Sequence, residues 1–269
     1  MSKLLRLGLF TTANGEGSYG LLYDTLEAIK SKKLIAKIEF VFVNRDFGQS
    51  NKTDHLFNLV KENNIPLVTL SSRKFRKSRK NKPWKELRET YDIEVIKKLK
   101  KFNIDIAIHA GYMLIAPILC SHFKTINLHP ALPGETIGIW QKAIWDVILL
   151  GKSQTGAMIH LSTLDLDEGP VISYCEFSVI KNDYFELWEE KKLYKNETIL
   201  SDIGEKLPLF QKIRSESLLR ERPLMIETLK AIQLGKISIE NIDKPINLTP
   251  LVEEYLYSIY INILFRFWI

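Results

Sequence analysis

The sequence predicts an α/β protein with an open, mostly parallel Rossmann-like sheet, helices on both faces, an antiparallel C-terminal strand pair and a helical extension. Three observations predict it. Apolar strand-like runs alternate with helix-periodic segments from residue 5 to residue 130. Two further strand-like runs then follow each other across a short acidic turn, and helical periodicity resumes over residues 196–235. We therefore expect one domain over residues 1–195 and a helical extension over residues 196–269.

The first half of the chain supplies the parallel part of this sheet. A short apolar strand ends in a turn that contains Gly15, Gly17 and Ser18, and a helix follows it. Later strands and helices repeat this alternation, which is typical of parallel strands joined by crossover helices. The expected strands cover residues 5–10, 38–43, 67–70, 104–111 and 125–130, and the expected helices cover residues 21–30, 53–65, 91–103 and 115–123.

The second half departs from alternation. A helix over residues 139–151 precedes two strands, 155–162 and 169–179, whose short connection favours an antiparallel pair. Residues 197–213 and 223–235 are expected to form separate helices, and the last thirty or so residues give no clear pattern.

Composition excludes several classes of protein. The chain has 269 residues, of which 45% are hydrophobic, and no segment is long and apolar enough to span a bilayer. The N-terminus lacks the features of a secretory signal, so we expect a cytoplasmic protein with no membrane partner. The two cysteines suggest core residues, since two thiols make neither a disulfide framework nor a metal site.

The formal net charge of +6 owes much to the basic segment, residues 72–85. Clustered Lys and Arg could bind phosphates of an anionic partner. Because nothing else resembles a nucleic-acid module, we interpret the segment as a solvated loop and expect no nucleic-acid partner.

The strand end at residues 125–130 carries the main candidates for chemistry. Asn127 and His129 have the same side-chain parity on an extended segment, so both could face one reacting centre. An amide can donate hydrogen bonds to a carbonyl oxygen that becomes negative, and an imidazole can move a proton. Alternatively, the two side chains only satisfy a strand end. Asp165 and Asp167 lie in a later loop, where Gly169 and the following proline restrict the backbone.

Other residues give weaker signals. The glycine turn opens a helix and could hold a phosphate, but it is neither a dinucleotide fingerprint nor a Walker loop. His109 is expected to be a hydrogen-bonded core residue. No histidine has a partner at metal-ligand spacing, so we predict no metal, and neither Cys120 nor Cys175 has an adjacent base for covalent catalysis.

Five segments in order carry a resemblance to a known family: "NGEGS", "RETYD", "AGYMLIAP", "NLHPALPG" and "GAMIHLSTLDLDEGPVI". Over roughly residues 5–180, the chain resembles the glycinamide ribonucleotide transformylases, within the enzymes that use 10-formyltetrahydrofolate. The resemblance implies direct transfer of a formyl group from that folate to an amine, phosphoribosylglycinamide, in purine biosynthesis. Asn127 would then bind the formyl oxygen, His129 would stabilise the oxyanion or act as general acid, and Asp167 would hold His129.

The same resemblance implies the binding residues. Gly15, Gly17 and Ser18 would cradle a substrate phosphate and Arg88 would clamp the substrate by its charge. The pterin pocket of the folate would be lined by Met113, Leu114, Ile115 and the loop around Asp165.

The chain departs from the family mainly on the acceptor side. Tyr19 replaces a common Asn, Leu114 replaces an Arg, and an apolar residue stands near the Glu that binds the ribose, for which Glu216 or Glu221 could substitute. Three alternatives therefore stay open: a sugar-amine or other N-formyltransferase, a formyltetrahydrofolate hydrolase, and a non-enzymatic binding protein on the same scaffold. The sequence does not predict an oligomeric state.

Overall fold

A computed structural model describes residues 4–114, 116–136, 138–163, 168–181 and 183–266, with side chains up to residue 258. The chain divides into two compact units. Unit 1 runs up to Asn127 and adds residues 160–170 and 229–241, and unit 2 comprises residues 128–159, 171–228 and those from 242 onward.

The predicted sheet is present, and its strands hydrogen-bond in the order β3-β2-β1-β4-β5-β6-β7-β8. The pairs β1–β2, β1–β4, β2–β3 and β4–β5 are parallel. In the first five strands, every end lies within two residues of the predicted bound. The agreement is close because each of these strands coincides with a short apolar run in the sequence. The strands are β1 Leu5–Thr11, β2 Ala36–Val43, β3 Leu67–Thr69, β4 Ile106–His109, β5 Thr125–His129, β6 Gln154–Leu161, β7 Val171–Ser178 and β8 Ile246–Asn247.

Helices connect these strands. The helix α8 continues as a π-helical segment, Ile199–Ile203, and a 3-10 turn, Gly204–Lys206. The helices are α1 Glu16–Lys30, α2 Asn51–Glu62, α3 Ser72–Ser78, α4 Trp84–Leu99, α5 Pro117–His122, α6 Trp140–Leu149, α7 Tyr184–Lys192, α8 Asn196–Thr198, α9 Pro208–Gln233 and α10 Thr249–Arg266.

The core of unit 1 is aromatic. Phe10 contacts Phe40 edge to face with ring centroids 5.5 Å apart, and Tyr91 and Tyr112 belong to the same buried cluster. Gly8 permits this packing, since a Cβ there would lie 2.6 Å from the Phe40 ring. The first strand is therefore held against its neighbour by a close approach that only glycine allows.

The basic segment, residues 72–85, corrects the expectation of a loop. Half of it forms α3, because the Ser71 hydroxyl accepts a hydrogen bond from the Lys74 amide and caps the helix, while Phe75 is buried. The Arg79 guanidinium stacks 3.5 Å from the centre of the Phe75 ring. One buried aromatic residue and one helix cap thus stabilise a helix in a segment whose composition predicts only a solvated loop.

Unit 2 is built around β6, β7 and the helices that follow. The amide of Val179 donates to the Ser153 carbonyl, as expected for an antiparallel pair, and a Cβ on Gly156 would lie 2.0 Å from the Cys175 carbonyl oxygen. A separate apolar cluster contains Ile144, Val147, Ile148, Phe177, Ile199, Leu209, Phe210 and Ile213.

The C-terminal part differs from the prediction in two respects. A single helix, α9, spans residues that we expected to form two helices, and it contains Pro223 in its interior. The short strand β8 pairs in parallel with β7, which the sequence did not indicate. Two residues are too few to show a period of two. The domain boundary near residue 195 stays a prediction.

None of the helices in the described residues is both long enough and apolar enough to cross a membrane.

Candidate active site

A row of side chains crosses the carboxyl ends of the parallel strands in unit 1. Phe10 of β1 pairs in register with His109 of β4, and His109 pairs with Asn127 of β5. Residues in register on parallel strands point to the same face of the sheet. Ligands of open α/β sheets bind beyond this edge, so the predicted Asn127 stands where such a site forms.

The amide of Asn127 is held by a histidine that sequence analysis did not select. Asn127 Nδ2 lies 3.4 Å from Nε2 of His160, which is 1% exposed. The other ring nitrogen of His160, Nδ1, lies 2.9 Å from the carbonyl oxygen of Leu161. A carbonyl can only accept, so Nδ1 carries a proton, and Nε2 lies within hydrogen-bonding distance of the Asn127 amide. The imidazole therefore helps to hold the Asn127 side chain in place.

Gly169 packs against the carbonyl that anchors His160. A Cβ on Gly169 would lie 1.7 Å from the Leu161 oxygen, so only glycine fits there. The Leu161 amide also donates to the Pro170 carbonyl at 3.0 Å, which closes the base of the loop between them. Asp165 and Asp167 belong to this loop, but they lie outside the described residues.

His109 sits beside this arrangement as a buried neutral ring. It contacts Phe10 and Tyr112, with ring centroids 6.0 and 5.2 Å away. Burial, with a smaller effect of His160, lowers the pKa of His109 to about 3. The expected burial is present, but among the described residues Nε2 of His109 has no hydrogen-bond partner. The ring thus brings no positive charge to the row.

His129, at the end of β5, belongs to unit 2 and is 3% exposed. Its Nε2 lies 2.7 Å from the Thr136 carbonyl oxygen, so Nε2 carries a proton. The Thr136 hydroxyl donates to Asp146 Oδ2 at 2.6 Å, and Lys142 Nζ lies 2.9 Å from the same oxygen. Burial acts to raise the pKa of Asp146, but the hydrogen bonds from Lys142 and Thr136 together outweigh it and hold this pKa below its usual value. The loop that orients the imidazole is thereby anchored to α6.

The glycine turn begins α1 as predicted. Gly15 is the N-cap residue with an extended backbone, and a Cβ on Gly15 or Gly17 would have no atom within 4 Å. The backbone amides of this turn are therefore open to a close approach by a ligand. The buried hydroxyl of Ser18 donates to the Gly15 carbonyl at 3.0 Å and so closes the turn, and its role toward a phosphate stays a prediction.

The loop after β4 holds the residues predicted to line the pterin pocket. The Met113 side chain is 71% exposed, and its amide donates to the Thr12 hydroxyl at 2.9 Å. Leu114 is half-buried against the aromatic cluster of unit 1. Ile115 lies outside the described residues. The loop after β4 is thus tied to the loop after β1. It presents one exposed apolar side chain, that of Met113.

Arg88 lies half-buried in α4, one turn before Asp92. Asp92 is 1% exposed and accepts hydrogen bonds from the amides of Ile118 and Leu119, so it caps α5. Burial raises the pKa of Asp92 to about 6, although these hydrogen bonds and Arg88 act in the opposite sense. The predicted clamp therefore also neutralises a structural carboxylate.

Glu216 and Glu221, the suggested substitutes on the acceptor side, both form ion pairs in unit 2. Glu216 pairs with Arg220 at 2.7 Å, and Glu221 pairs with Arg214 at 2.6 Å. Both carboxylates thus serve the packing of α9.

A cavity of 470 Å³ lies elsewhere in unit 1. It is lined at the amino ends of β1, β4 and β5 by Leu5, Ile106 and Lys124, among others. None of its lining residues is a predicted site residue. Among the described residues, we find no group of three or more His, Cys, Asp or Glu side chains placed to hold a metal ion.

Comparison with known proteins extends these observations. The sequence profile of the formyl transferase family matches residues 14–203. The phosphoribosylglycinamide formyltransferase of Dictyostelium discoideum is 30% identical over 181 residues, which cover 63% of this chain and 84% of the relative.

Solved structures share the fold. Glycinamide ribonucleotide transformylase 1 from Symbiobacterium toebii aligns with a TM-score of 0.61 and 16% identity, covering 86% of this chain and 89% of that one. A formyltetrahydrofolate deformylase from Pseudomonas syringae pv. tomato aligns with a TM-score of 0.62 and 20% identity, covering 91% and 65%. Because these two structures are no more than 20% identical to this chain, they show only that the fold is shared. Membership of the family is shown by the profile, which matches more than half of the sequence. The chain therefore belongs to the formyl transferase family.

Proposed function

We propose that this formyltransferase moves the formyl group of 10-formyltetrahydrofolate to the amine of phosphoribosylglycinamide, in purine biosynthesis. The observation that carries the proposal is strand β5, which ends in an amide and an imidazole that are both fixed by hydrogen bonds. This strand lies inside the segment that the family profile matches. The Dictyostelium relative is named for the same acceptor, which supports the choice of amine.

Asn127 would stabilise the transition state. When the amine attacks the formyl carbon, the carbonyl oxygen becomes negative and needs a hydrogen-bond donor that is already in place. An amide nitrogen carries two hydrogens. One of them would be directed to the formyl oxygen, from a nitrogen that lies 3.4 Å from Nε2 of the buried His160 ring. Removing one such donor typically costs about 100- to 1000-fold in turnover.

His129 would move the proton. The attacking amine must lose a proton, and N10 of the folate must gain one as its bond to the formyl carbon breaks. Nε2 donates to the Thr136 carbonyl, and the protonated ring would act as the general acid that delivers a proton to N10. Asp167 would stabilise the charged ring, as the resemblance implies. No covalent intermediate with the protein is required, since the amine is itself the nucleophile.

The remaining predicted residues would bind the substrates. The open backbone at Gly15 and Gly17, at the start of α1, suits a phosphate, and the positive end of the helix dipole favours an anion. Exposed Met113 with Leu114 would contact the apolar face of the pterin.

The test is a transfer assay with the purified chain. Protein, 10-formyltetrahydrofolate and phosphoribosylglycinamide are mixed, tetrahydrofolate is followed by absorbance, and the formylated amine is quantified by mass spectrometry. We expect folate and formylated amine to appear in equal amounts, and no folate to be released without an amine. Release without an amine would indicate a hydrolase, while transfer only to an amino sugar would replace the acceptor. An unchanged spectrum with every amine would contradict the proposal and favour a binding protein.

A further inference from the structure

The basic segment uses some of its cations to hold its own structure. Lys74 forms an ion pair with Asp46 at 2.8 Å. Arg76 donates to the Lys82 carbonyl at 3.0 Å and so closes the turn that follows α3. Lys74 and Arg76 flank the buried Phe75, about 100° to either side of it around the helix axis. The structure therefore engages the cations on the two flanks of α3.

The outer cations, Arg73, Lys77 and Lys80, are placed differently. Arg73 and Lys77 lie one turn apart on the face of α3 opposite Phe75, and Lys80 lies in the turn after the helix. All three side chains are exposed, and no residue in the part of the chain that the structure describes forms an ion pair with them. Because like charges four residues apart disfavour a helix, the stability of α3 does not explain this row.

Helix α3 begins at the edge of the sheet that carries the candidate site. The amide of Ser72 donates to the Asn44 carbonyl at 3.0 Å, and the amide of Asn44 donates to the Thr11 carbonyl at 3.3 Å. The chain segments that leave β3, β2 and β1 therefore lie side by side. Neighbouring strands are about 4.8 Å apart, so the start of α3 lies on the order of 10 Å from the end of β1, which leads into the glycine turn.

Another cation lies between α3 and the glycine turn. Arg45 follows β2, and its guanidinium donates to Asn14 Oδ1 at 3.0 Å, one residue before Gly15. A guanidinium has several N–H groups, so it can bind an anion at the turn as well. In the first turn of α1, a single carboxylate, that of Glu16, opposes this charge. Positive charge thus continues from the outer cations to the open backbone at Gly15.

We propose that the outer cations attract the phosphate of the acceptor amine to the glycine turn, and so raise both the association rate and the affinity for this substrate. This inference rests on the proposed function, in which a phosphate binds at the turn. A phosphate monoester carries about two negative charges at neutral pH, and a surface of one sign raises the local concentration of a ligand of the opposite sign. The outer cations act through space and are not catalytic residues.

The distance sets the expected size of the effect. Helix α3 is about 10 Å long, which places the outer cations on the order of 15 Å from a phosphate at the turn. Loss of three charges at this distance should lower kcat/KM for the amine about fivefold at an ionic strength of about 0.01 M. The loss should shrink to less than about twofold at about 0.15 M, where the screening length is about 8 Å. The value of kcat at saturation should not change.

Steady-state kinetics of two matched variants at both ionic strengths test the proposal. The control removes the same charge from exposed positions near the ends of α2 and α4, toward the opposite edge of the sheet, and should change kcat/KM by less than about twofold throughout. The outer variant is Arg73→Gln with Lys77→Gln and Lys80→Gln, and the control variant is Lys61→Gln with Lys98→Gln and Lys100→Gln.

Three results would overturn the proposal: equal losses in the outer and control variants, a loss that does not depend on salt, or no loss at low salt. Glutamate at the three outer positions reverses the charge and should increase the loss at low salt to about 25-fold. An effect of glutamate no larger than that of glutamine would also contradict attraction through space. Thermal unfolding of each variant shows whether it remains folded under the assay conditions.

Calorimetric binding of phosphoribosylglycinamide without folate keeps this inference distinguishable from the proposed function. At low salt, the wild type and the control variant should bind the amine more tightly than the outer variant does, whether or not a formyl group is transferred. The expected binding without any formylated product would contradict the proposed function alone. Equal affinities in the outer variant and the wild type would overturn the inference alone, and no binding to the wild type would contradict both.

A nucleic acid is the other anion that such a surface could attract. Fluorescence anisotropy with a labelled single-stranded RNA at about 0.15 M ionic strength tests it. We expect no saturable binding by the wild type. RNA binding that is lost in the outer variant but kept in the control variant, together with unchanged kinetics for the amine, would overturn the proposal in favour of a nucleic-acid partner.

Discussion

The carboxylate of Asp92 offers a test of how the loop after β4 is held. Asp92 accepts hydrogen bonds from the amides of Ile118 and Leu119 at 3.1 and 3.3 Å, and so caps the helix that follows this loop. We consider the substitution Asp92→Asn. It keeps the size of the side chain and one accepting oxygen but removes the charge.

The pKa of Asp92 sets the expected magnitude. Burial raises this pKa from 3.8 to about 6, so between these values the folded chain holds a proton that the unfolded chain has released. The free energy of unfolding must therefore fall as the pH rises through this window, and it becomes independent of this group above it. One pKa unit corresponds to about 1.4 kcal/mol, so the loss is on the order of 2 kcal/mol after allowance for solvent screening.

Urea unfolding at about pH 4 and about pH 7 measures this contribution. Other groups titrate equally in both proteins, so the relevant quantity is the free energy of unfolding of the wild type minus that of Asp92→Asn. We expect this difference to fall by on the order of 2 kcal/mol from the lower to the higher pH. Glu86→Gln, which removes an exposed carboxylate from the same helix, should show no such trend. An equal pH dependence in the wild type and Asp92→Asn would refute the assignment of a protonated, buried carboxyl.

Three further predictions concern the site and its scaffold. His129→Ala should lower turnover by about 100-fold or more without changing the far-ultraviolet circular dichroism, and the resemblance predicts the same for Asp167→Asn; wild-type turnover would remove either residue from the mechanism. Gly17→Ala should leave the chain equally stable or stabilise it by about 0.5–1 kcal/mol, yet raise KM for the phosphorylated amine, and an unchanged KM would argue against a phosphate at this turn. Gly156→Ala should destabilise the fold by about 2 kcal/mol or more, because its Cβ would meet the Cys175 carbonyl, and an unchanged urea midpoint would contradict that packing.

The parallel sheet could be predicted because its signals are local. Buried strands such as β1 and β4 read as continuous apolar runs, and the helices between them carry a period near 3.6. The start of α3 was missed because the dense positive charge of the basic segment hid the cap at Ser71 and the single buried ring of Phe75. The continuation of α9 through Pro223 could not be predicted either, because local sequence rules favour the end of a helix before a proline.

The candidate site was predictable only where residues stand close in sequence. Asn127 and His129 stand out because they lie two residues apart at a strand end. The described contacts of these two side chains depend on tertiary structure. His160 contacts Asn127 from the neighbouring strand, and His129 contacts the backbone carbonyl of Thr136, which no sequence pattern reveals. A signal for His160 was nevertheless present, since it is a polar residue within the apolar stretch at the end of β6.

The central claim is that the Asn127 amide directs transfer of a formyl group to an amine. Its most direct test is the rate at which formylated phosphoribosylglycinamide accumulates with the wild type and with Asn127→Ala, at equal concentrations of folded protein. We predict product equal to the tetrahydrofolate released by the wild type, and a loss of about 100-fold or more in the variant. Equal rates in the two proteins, or tetrahydrofolate released by the wild type without formylated product, would contradict the claim.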